Sequence, residues 1–203
     1  MKKNKNKKRV LVGLTGGFGT GKTTVTGMFR QEGARIISSD KLVQQALKRG
    51  TQTYQKISHL FAKDSILKNG GHIDKKKLAT IVFSNGAKRK KLESIIHPFV
   101  FREIKRLSEK GSKVFVVEVP LLFETKFDQK MDWTVVVTAS PKIQLARLKK
   151  KLGLTPSQSK ARIKAQWSLT RKKKLANFVI NNNGNLSETK KQVKKIWKTI
   201  SHN

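Results

Sequence analysis

Cysteine is absent from the 203 residues, which excludes disulfides and thiolate-ligated metal sites and suits a cytoplasmic setting. No run of eighteen apolar residues occurs, so no membrane-spanning helix is expected. The apolar stretch behind the basic residues 1–8 is only about five residues long, too short for the hydrophobic segment of a secretory leader. Acidic side chains are scarce: 12 Asp and Glu stand against 46 Lys and Arg, a formal net charge of +34. That imbalance leaves two readings open. Either nucleic acid is the ligand, or the lysines form a solvated face around an enzyme for phosphorylated small molecules. The basic runs are scattered over residues 88–91, 149–151, 171–174 and 194–195, with no zinc-finger spacing and no aromatic-studded RNA-binding signature. The expectation is sequence-independent, salt-sensitive polyanion binding and no specific nucleic-acid partner.

What the chain does carry is glycine concentrated in one place. Gly16-Gly17-Phe18-Gly19-Thr20-Gly21-Lys22-Thr23 follows directly on the apolar run Val10-Leu11-Val12-Gly13-Leu14. It fits G-x-x-x-x-G-K-[ST], the loop that cradles nucleotide phosphates. Gly17, Gly19 and Gly21 let the backbone turn so that successive N–H groups, including those around Thr20, Thr23 and Thr24, line one anion-binding concavity. A helix starting near Lys22 adds the positive end of its dipole. Lys22 can reach the β- and γ-phosphates, and the Thr23 hydroxyl can ligate Mg²⁺. A nucleoside triphosphate is the expected ligand.

Residues 9–15, 34–38, 113–119, 133–138 and 178–180 read as strands, near-continuously apolar as in a parallel sheet. Helical patterns lie between them, at residues 22–32, 41–48 and 141–151, after Thr155-Pro156, and in a terminal helix capped by Asn185 with Glu188 three residues on. Residues 51–110 carry helical periodicity without a convincing strand, and Gly70-Gly71 marks a turn there. The fold class expected is α/β, a doubly wound parallel sheet forming a P-loop kinase core, with an inserted helical domain, which the family resemblance given below implies is the substrate domain, and a helical lid. The core is expected over about residues 9–50, 111–146 and 176–203, the insertion over about 51–110 and the lid over about 147–175. Such a chain is expected to be a monomer or a weak homo-oligomer.

Phosphoryl transfer needs clamped phosphates, neutralised charge and an acceptor hydroxyl aimed in line. In a sheet of this type the acceptor lies beyond the carboxyl ends of the strands. Asp40, after the second strand, can take the acceptor's proton, or can simply cap the following helix. Glu118, inside an apolar strand, is costly to bury unless Mg²⁺ or a cation pairs it; Glu124 is a weaker candidate. Arg147, Lys151 and Arg162 surround the expected lid, where arginine can reach the transferring group, or each can belong to a solvated helix face. His97-Pro98 can be a helix start.

The segment Gly13-Leu14-Thr15-Gly16-Gly17-Phe18-Gly19-Thr20-Gly21-Lys22-Thr23 resembles the opening of dephospho-CoA kinases. The resemblance continues along nearly the whole chain: His97-Pro98, Glu118-Val119-Pro120-Leu121-Leu122-Phe123-Glu124, Gln144-Leu145-Ala146-Arg147, Arg162-Ile163-Lys164-Ala165-Gln166 and Asn182-Asn183-Gly184 are each similar to a motif of that family, in its order. It implies ATP-dependent phosphorylation of the ribose 3′-hydroxyl of dephospho-CoA, the last step of coenzyme A biosynthesis. It also implies Asp40, Lys22 and Arg147 as catalytic residues, with Arg147, Asn182 and Gly184 joining the loop in binding ATP. Asp40, His97, Leu121, Glu124, Arg162 and Gln166 fall to the acceptor, and Thr23 with Glu118 to Mg²⁺. The chain departs from the family pattern at Ser38-Ser39-Asp40, where Asp-Ala-Asp is usual, and at Lys151-Leu152, where Arg-Asp is usual. Asn177 and Asn181 stand where aspartates are common.

Overall fold

The structure is a computed structural model described over residues 9–109 and 111–202; the basic run at residues 1–8 lies outside the described residues. In chain order the elements are β1 (Val10–Gly16), α1 (Lys22–Gln31), β2 (Arg35–Ser38), α2 (Ser39–Ala46) and α3 (Gln52–Leu60). Then come α4 (Lys75–Ser84), α5 (Gly86–Leu107), β3 (Val114–Glu118), β4 (Trp133–Thr138) and α6 (Pro141–Leu152). The chain closes with α7 (Pro156–Lys164), α8 (Leu169–Leu175), β5 (Phe178–Asn181) and α9 (Leu186–Ser201). It divides into two compact units, one comprising Met1–Ile37 with Ser108–Asn203 and the other Ser38–Leu107.

The first unit holds a five-stranded sheet in the order β2-β3-β1-β4-β5. β1 pairs in parallel with β3 (Leu14 opposite Glu118) and with β4 (Gly16 opposite Val137), and β4 pairs in parallel with β5. The central strands are rich in β-branched residues because both of their faces are covered. Val12, Leu14, Val116, Val135 and Val137 meet Val25, Met28 and Phe29 of α1 and Val193, Ile196 and Ile200 of α9 in one cluster. Phe29 is fully buried, and each such side chain contributes roughly 1.5–3 kcal/mol by leaving water. A chain of low apolar content still folds because its apolar residues recur on these facing stripes. Among the described residues no helix is long and apolar enough to cross a membrane.

The second unit is helical, and its only described strand pairing is an isolated antiparallel bridge between Leu67 and Ile73. α5 packs against α2, α3 and α4. Gly70 and Gly71 both take positive φ, as their turn requires. Arg49 donates to the Gly70 carbonyl at 3.1 Å and the Tyr54 hydroxyl donates to that of Gly71.

Two local expectations are corrected. The cap of α2 is Ser38, whose side chain accepts from the Lys41 N–H, and Asp40 lies inside the first turn. Ser38-Ser39-Asp40 offers three cap formers in a row, and the chain uses the first, which still has extended backbone (φ −99°, ψ 115°). His97-Pro98 does not start a helix, since Pro98 lies within the 22-residue α5. Proline there removes one N–H donor. The stripe Leu92, Ile96, Val100 and Ile104, buried throughout, outweighs that loss.

Candidate active site

The end of β1 and the start of α1 define the site. Gly21 is the N-cap of α1 in a left-handed conformation (φ 89°) and contributes no side-chain cap. No side chain therefore competes with an anion at the start of α1, beside the positive end of the helix dipole, while the Thr24 N–H turns back to the Gly21 carbonyl at 3.1 Å. Thr20 folds back, its hydroxyl donating to the Gly17 carbonyl at 2.9 Å. Lys22 Nζ donates to the carbonyls of Gly16 and Gly17 at 3.3 and 3.2 Å, holding its charge over the loop. Glycine is required at Gly21 twice over. Its φ is one that L side chains avoid, and a Cβ there would overlap the Asn182 amide.

Asn182, nearly fully buried, is spent on that loop. Its Nδ2 donates to the Thr20 carbonyl at 2.8 Å, and its Oδ1 accepts from the Thr189 hydroxyl at 3.0 Å. Arg147, on α6, donates from Nη1 to the same Thr20 carbonyl at 3.1 Å and from Nη2 to the Asn182 carbonyl at 2.9 Å. Two side chains, one from α6 and one from the turn after β5, thus converge on one carbonyl of the phosphate loop. Gly184 lies in the turn that follows Asn182.

A cavity of about 730 Å³ opens over this corner, lined by Gly19, Gly21, Lys22, Thr23, Thr24, Arg147 and Asn182 among others. Its charged lining is wholly cationic (Lys22, Arg147, Lys150 and Lys151), while Phe18, Leu152 and Leu186 supply an apolar end. A polyanion carrying a flat apolar base satisfies both halves. Gly17, within the loop, is buried.

Next to the loop, Arg162 of α7 lies over the Phe18 ring, 5.7 Å from its centroid. α7 starts with a capping box between Thr155 and Gln158. Between α7 and α8 the Trp167 N–H donates to Glu124 Oε1 at 3.0 Å, and the Arg171 guanidinium stacks 3.3 Å from the Trp167 ring centroid. Glu124 Oε1 is also 2.9 Å from the Nζ of Lys172 on α8, a lysine with no exposed surface. Lys172 donates further to the Pro120 carbonyl at 3.1 Å. Gln166 Oε1 is buried without a hydrogen-bond partner, as is Glu124 Oε2.

Glu118 closes β3, half-buried, opposite Leu14. Pro120, two residues on, accepts from the Thr15 hydroxyl at 3.0 Å, which ties this segment to the strand that feeds the phosphate loop. Leu121 is exposed at 41%. Among the described residues no group of three or more His, Cys, Asp and Glu could cage a metal ion. Hard oxygen donors few in number, such as the Thr23 hydroxyl and the Glu118 carboxylate, fit Mg²⁺, which keeps most of its water. In the helical unit, Asp40 is exposed in the first turn of α2 and His97 is half-buried on α5.

The structure therefore brings together Gly19, Gly21, Lys22, Thr23, Thr24, Arg147 and Asn182 around one cavity and sets Arg162 against Phe18 of the same loop. Sequence reasoning missed Lys172 and Thr189. Lys172 is hidden in the run Arg171–Lys174, and only its position three residues after the half-buried Leu169 hints that it points inward. Thr189 looks like any polar residue in the first turn of a helix.

The sequence profile of the dephospho-CoA kinase family matches residues 10–188. A protein of Geobacillus kaustophilus named dephospho-CoA kinase is 41% identical over 191 residues, spanning 92% of this chain and 94% of that protein. A solved protein of Thermus thermophilus superposes with a TM-score of 0.83 at 27% identity, covering 95% of this chain and 97% of its own. The solved dephospho-CoA kinase from Campylobacter jejuni gives 0.64 at 27% identity, with the same coverage of each chain. The chain belongs to the dephospho-CoA kinase family.

Proposed function

We propose that this family member transfers the γ-phosphoryl group of ATP to the ribose 3′-hydroxyl of dephospho-CoA, yielding CoA and ADP, the last step of coenzyme A biosynthesis. The observation that carries the reading is the cationic cavity over the phosphate loop, in a chain whose family match includes every residue assigned below.

Lys22 and the loop amides around Gly17, Gly19, Thr20, Gly21 and Thr24 hold the β- and γ-phosphates, a task for which the uncapped start of α1 is suited. Arg147 and Asn182 act mainly by fixing the Thr20 carbonyl, and the turn to Gly184 borders the base. Thr23 and Glu118 would hold Mg²⁺, which when bound would neutralise phosphate charge. Asp40 accepts the proton of the 3′-hydroxyl while that oxygen bonds to the γ-phosphorus and the bond to the β-phosphate oxygen breaks, ADP leaving. Arg162, already beside the loop, stabilises the charge shared among the transferring oxygens. His97, Leu121, Glu124 and Gln166 serve the acceptor, Gln166 with an unengaged buried carbonyl oxygen and Glu124 with one carboxylate oxygen to spare.

The protein works in the cytoplasm as a monomer or weak homo-oligomer. Any nucleic-acid binding is counterion release from its +34 surface, lost as salt rises. A coupled assay of ADP release tests the activity. Turnover with dephospho-CoA should exceed that with simple nucleosides and nucleoside monophosphates. Faster phosphorylation of one of those would replace this acceptor assignment.

A further inference from the structure

Lys172 is the only charged side chain among the described residues that is fully buried. A lysine with no exposed surface in a chain of 46 Lys and Arg is anomalous, because removing an ammonium from water is costly unless paired and hydrogen-bonded. Both conditions are met by one short segment, the stretch that follows β3. Glu124 Oε1 lies 2.9 Å from Nζ and the Pro120 carbonyl accepts at 3.1 Å. Each of these two partners has a second tie. Pro120 accepts from Thr15, one residue before the phosphate loop, and Glu124 accepts from the Trp167 N–H at the junction of α7 and α8. α7 in turn carries Arg162 over Phe18 of that loop.

We infer that Lys172 is a positioning residue for phosphoryl transfer. Its buried pairing with Glu124 fixes α8 and Trp167 against the Pro120–Glu124 segment, and so sets where α7 presents Arg162. The inference rests on the kinase reading above. Lys172 touches no reacting atom in this account, and its effect on rate is transmitted through Arg162. A displacement of about 1 Å in a charge-stabilising group is enough to cost on the order of 100-fold in rate.

The test separates position from stability. Lys172→Met leaves Glu124 buried and unpaired, and should lower both the thermal midpoint and kcat. Lys172→Met combined with Glu124→Gln removes both charges and keeps an acceptor oxygen for the Trp167 N–H. Replacing a buried ion pair by neutral groups commonly restores stability. The double variant should therefore recover most of the thermal midpoint, keep the parent KM for ATP, and remain roughly 10- to 100-fold low in kcat. Glu124→Gln alone should lose no less than the double, since residues that act as a unit are not additive. Hydrogen exchange across residues 156–164, read on the same samples without substrate, should rise in the double variant. Because Glu124 also serves the acceptor, the exchange decides: a double variant with parent protection of α7 would overturn the inference whatever its kcat, as would a Lys172→Met variant with parent kcat. A parent with no dephospho-CoA turnover would instead break the kinase reading, and α7 exchange alone would then decide the role of Lys172.

Discussion

The phosphate-loop corner and the helical unit Ser38–Leu107 hold their shapes by different means. At the corner, backbone geometry is dictated residue by residue: Gly19 and Gly21 take φ of 82° and 89°, and Arg147 and Asn182 both donate to the Thr20 carbonyl. The helical unit is held by apolar stripes, with Ile57, Phe61 and Ile104 fully buried. Most of its polar groups serve caps and turns, and Lys88 of α5 pairs with Asp64. The lesson is that the first region fails by losing chemistry and the second by losing stability, so substitutions should sort by region.

Asp40 is the sharpest challenge to that sorting, because it lies in the helical unit and is assigned a chemical role. Asp40→Asn should slow transfer by roughly 10²–10⁴-fold with ATP affinity kept, the range expected of a lost general base. Because Ser38 rather than Asp40 caps α2, the thermal midpoint should barely move. A large stability loss with a normal rate would return Asp40 to a structural role. At the corner, Lys22→Met should reduce kcat by roughly 10²–10³-fold, as for other donors to a developing charge, with the fold intact by circular dichroism.

Substitutions in the helical stripe should move stability instead. Ile104→Ala should cost about 2–5 kcal/mol in denaturant unfolding, with kcat of the folded fraction unchanged. Smaller still is the effect of pH on the cap of α4. The Lys77 N–H, and with it the Lys76 N–H and the nearby Lys68 charge, holds the Asp74 carboxyl below its ordinary 3.8. A carboxyl lowered in the folded state stabilises above its unfolded value, and that contribution fades as pH falls through the lower folded one. Asp74→Ala should thus lower the thermal midpoint slightly at neutral pH, the difference from the parent closing below about pH 4.

The contrast also explains what the sequence made legible. The phosphate loop could be read directly because positive φ and close approach admit little besides glycine, so chemistry and spelling coincide there. β1, β3 and β4 were readable because a strand buried on both faces must be apolar nearly throughout. Caps were harder, since Ser38, Ser39 and Asp40 are chemically equivalent candidates and local backbone geometry chose among them. His97-Pro98 misled because proline marks helix starts more often than interiors, and four buried aliphatics outweighed it. Lys172 was illegible for a deeper reason. Its partner Glu124 is far away in sequence, and nothing in a run of basic residues says which one turns inward. Arg147 was legible as a functional arginine, but not as the tie that holds Thr20 and Asn182 together.

On the proposed reading, the cationic cavity of the phosphate-loop unit directs a phosphoryl group onto one ribose hydroxyl. Phosphorus NMR of the product formed from ATP, Mg²⁺ and dephospho-CoA tests it most directly. A single new phosphomonoester on the ribose 3′-oxygen should form in step with ADP, and the 3′-deoxy acceptor should release no ADP. ADP release at the same rate with the 3′-deoxy compound, or phosphate on any other oxygen, would contradict it.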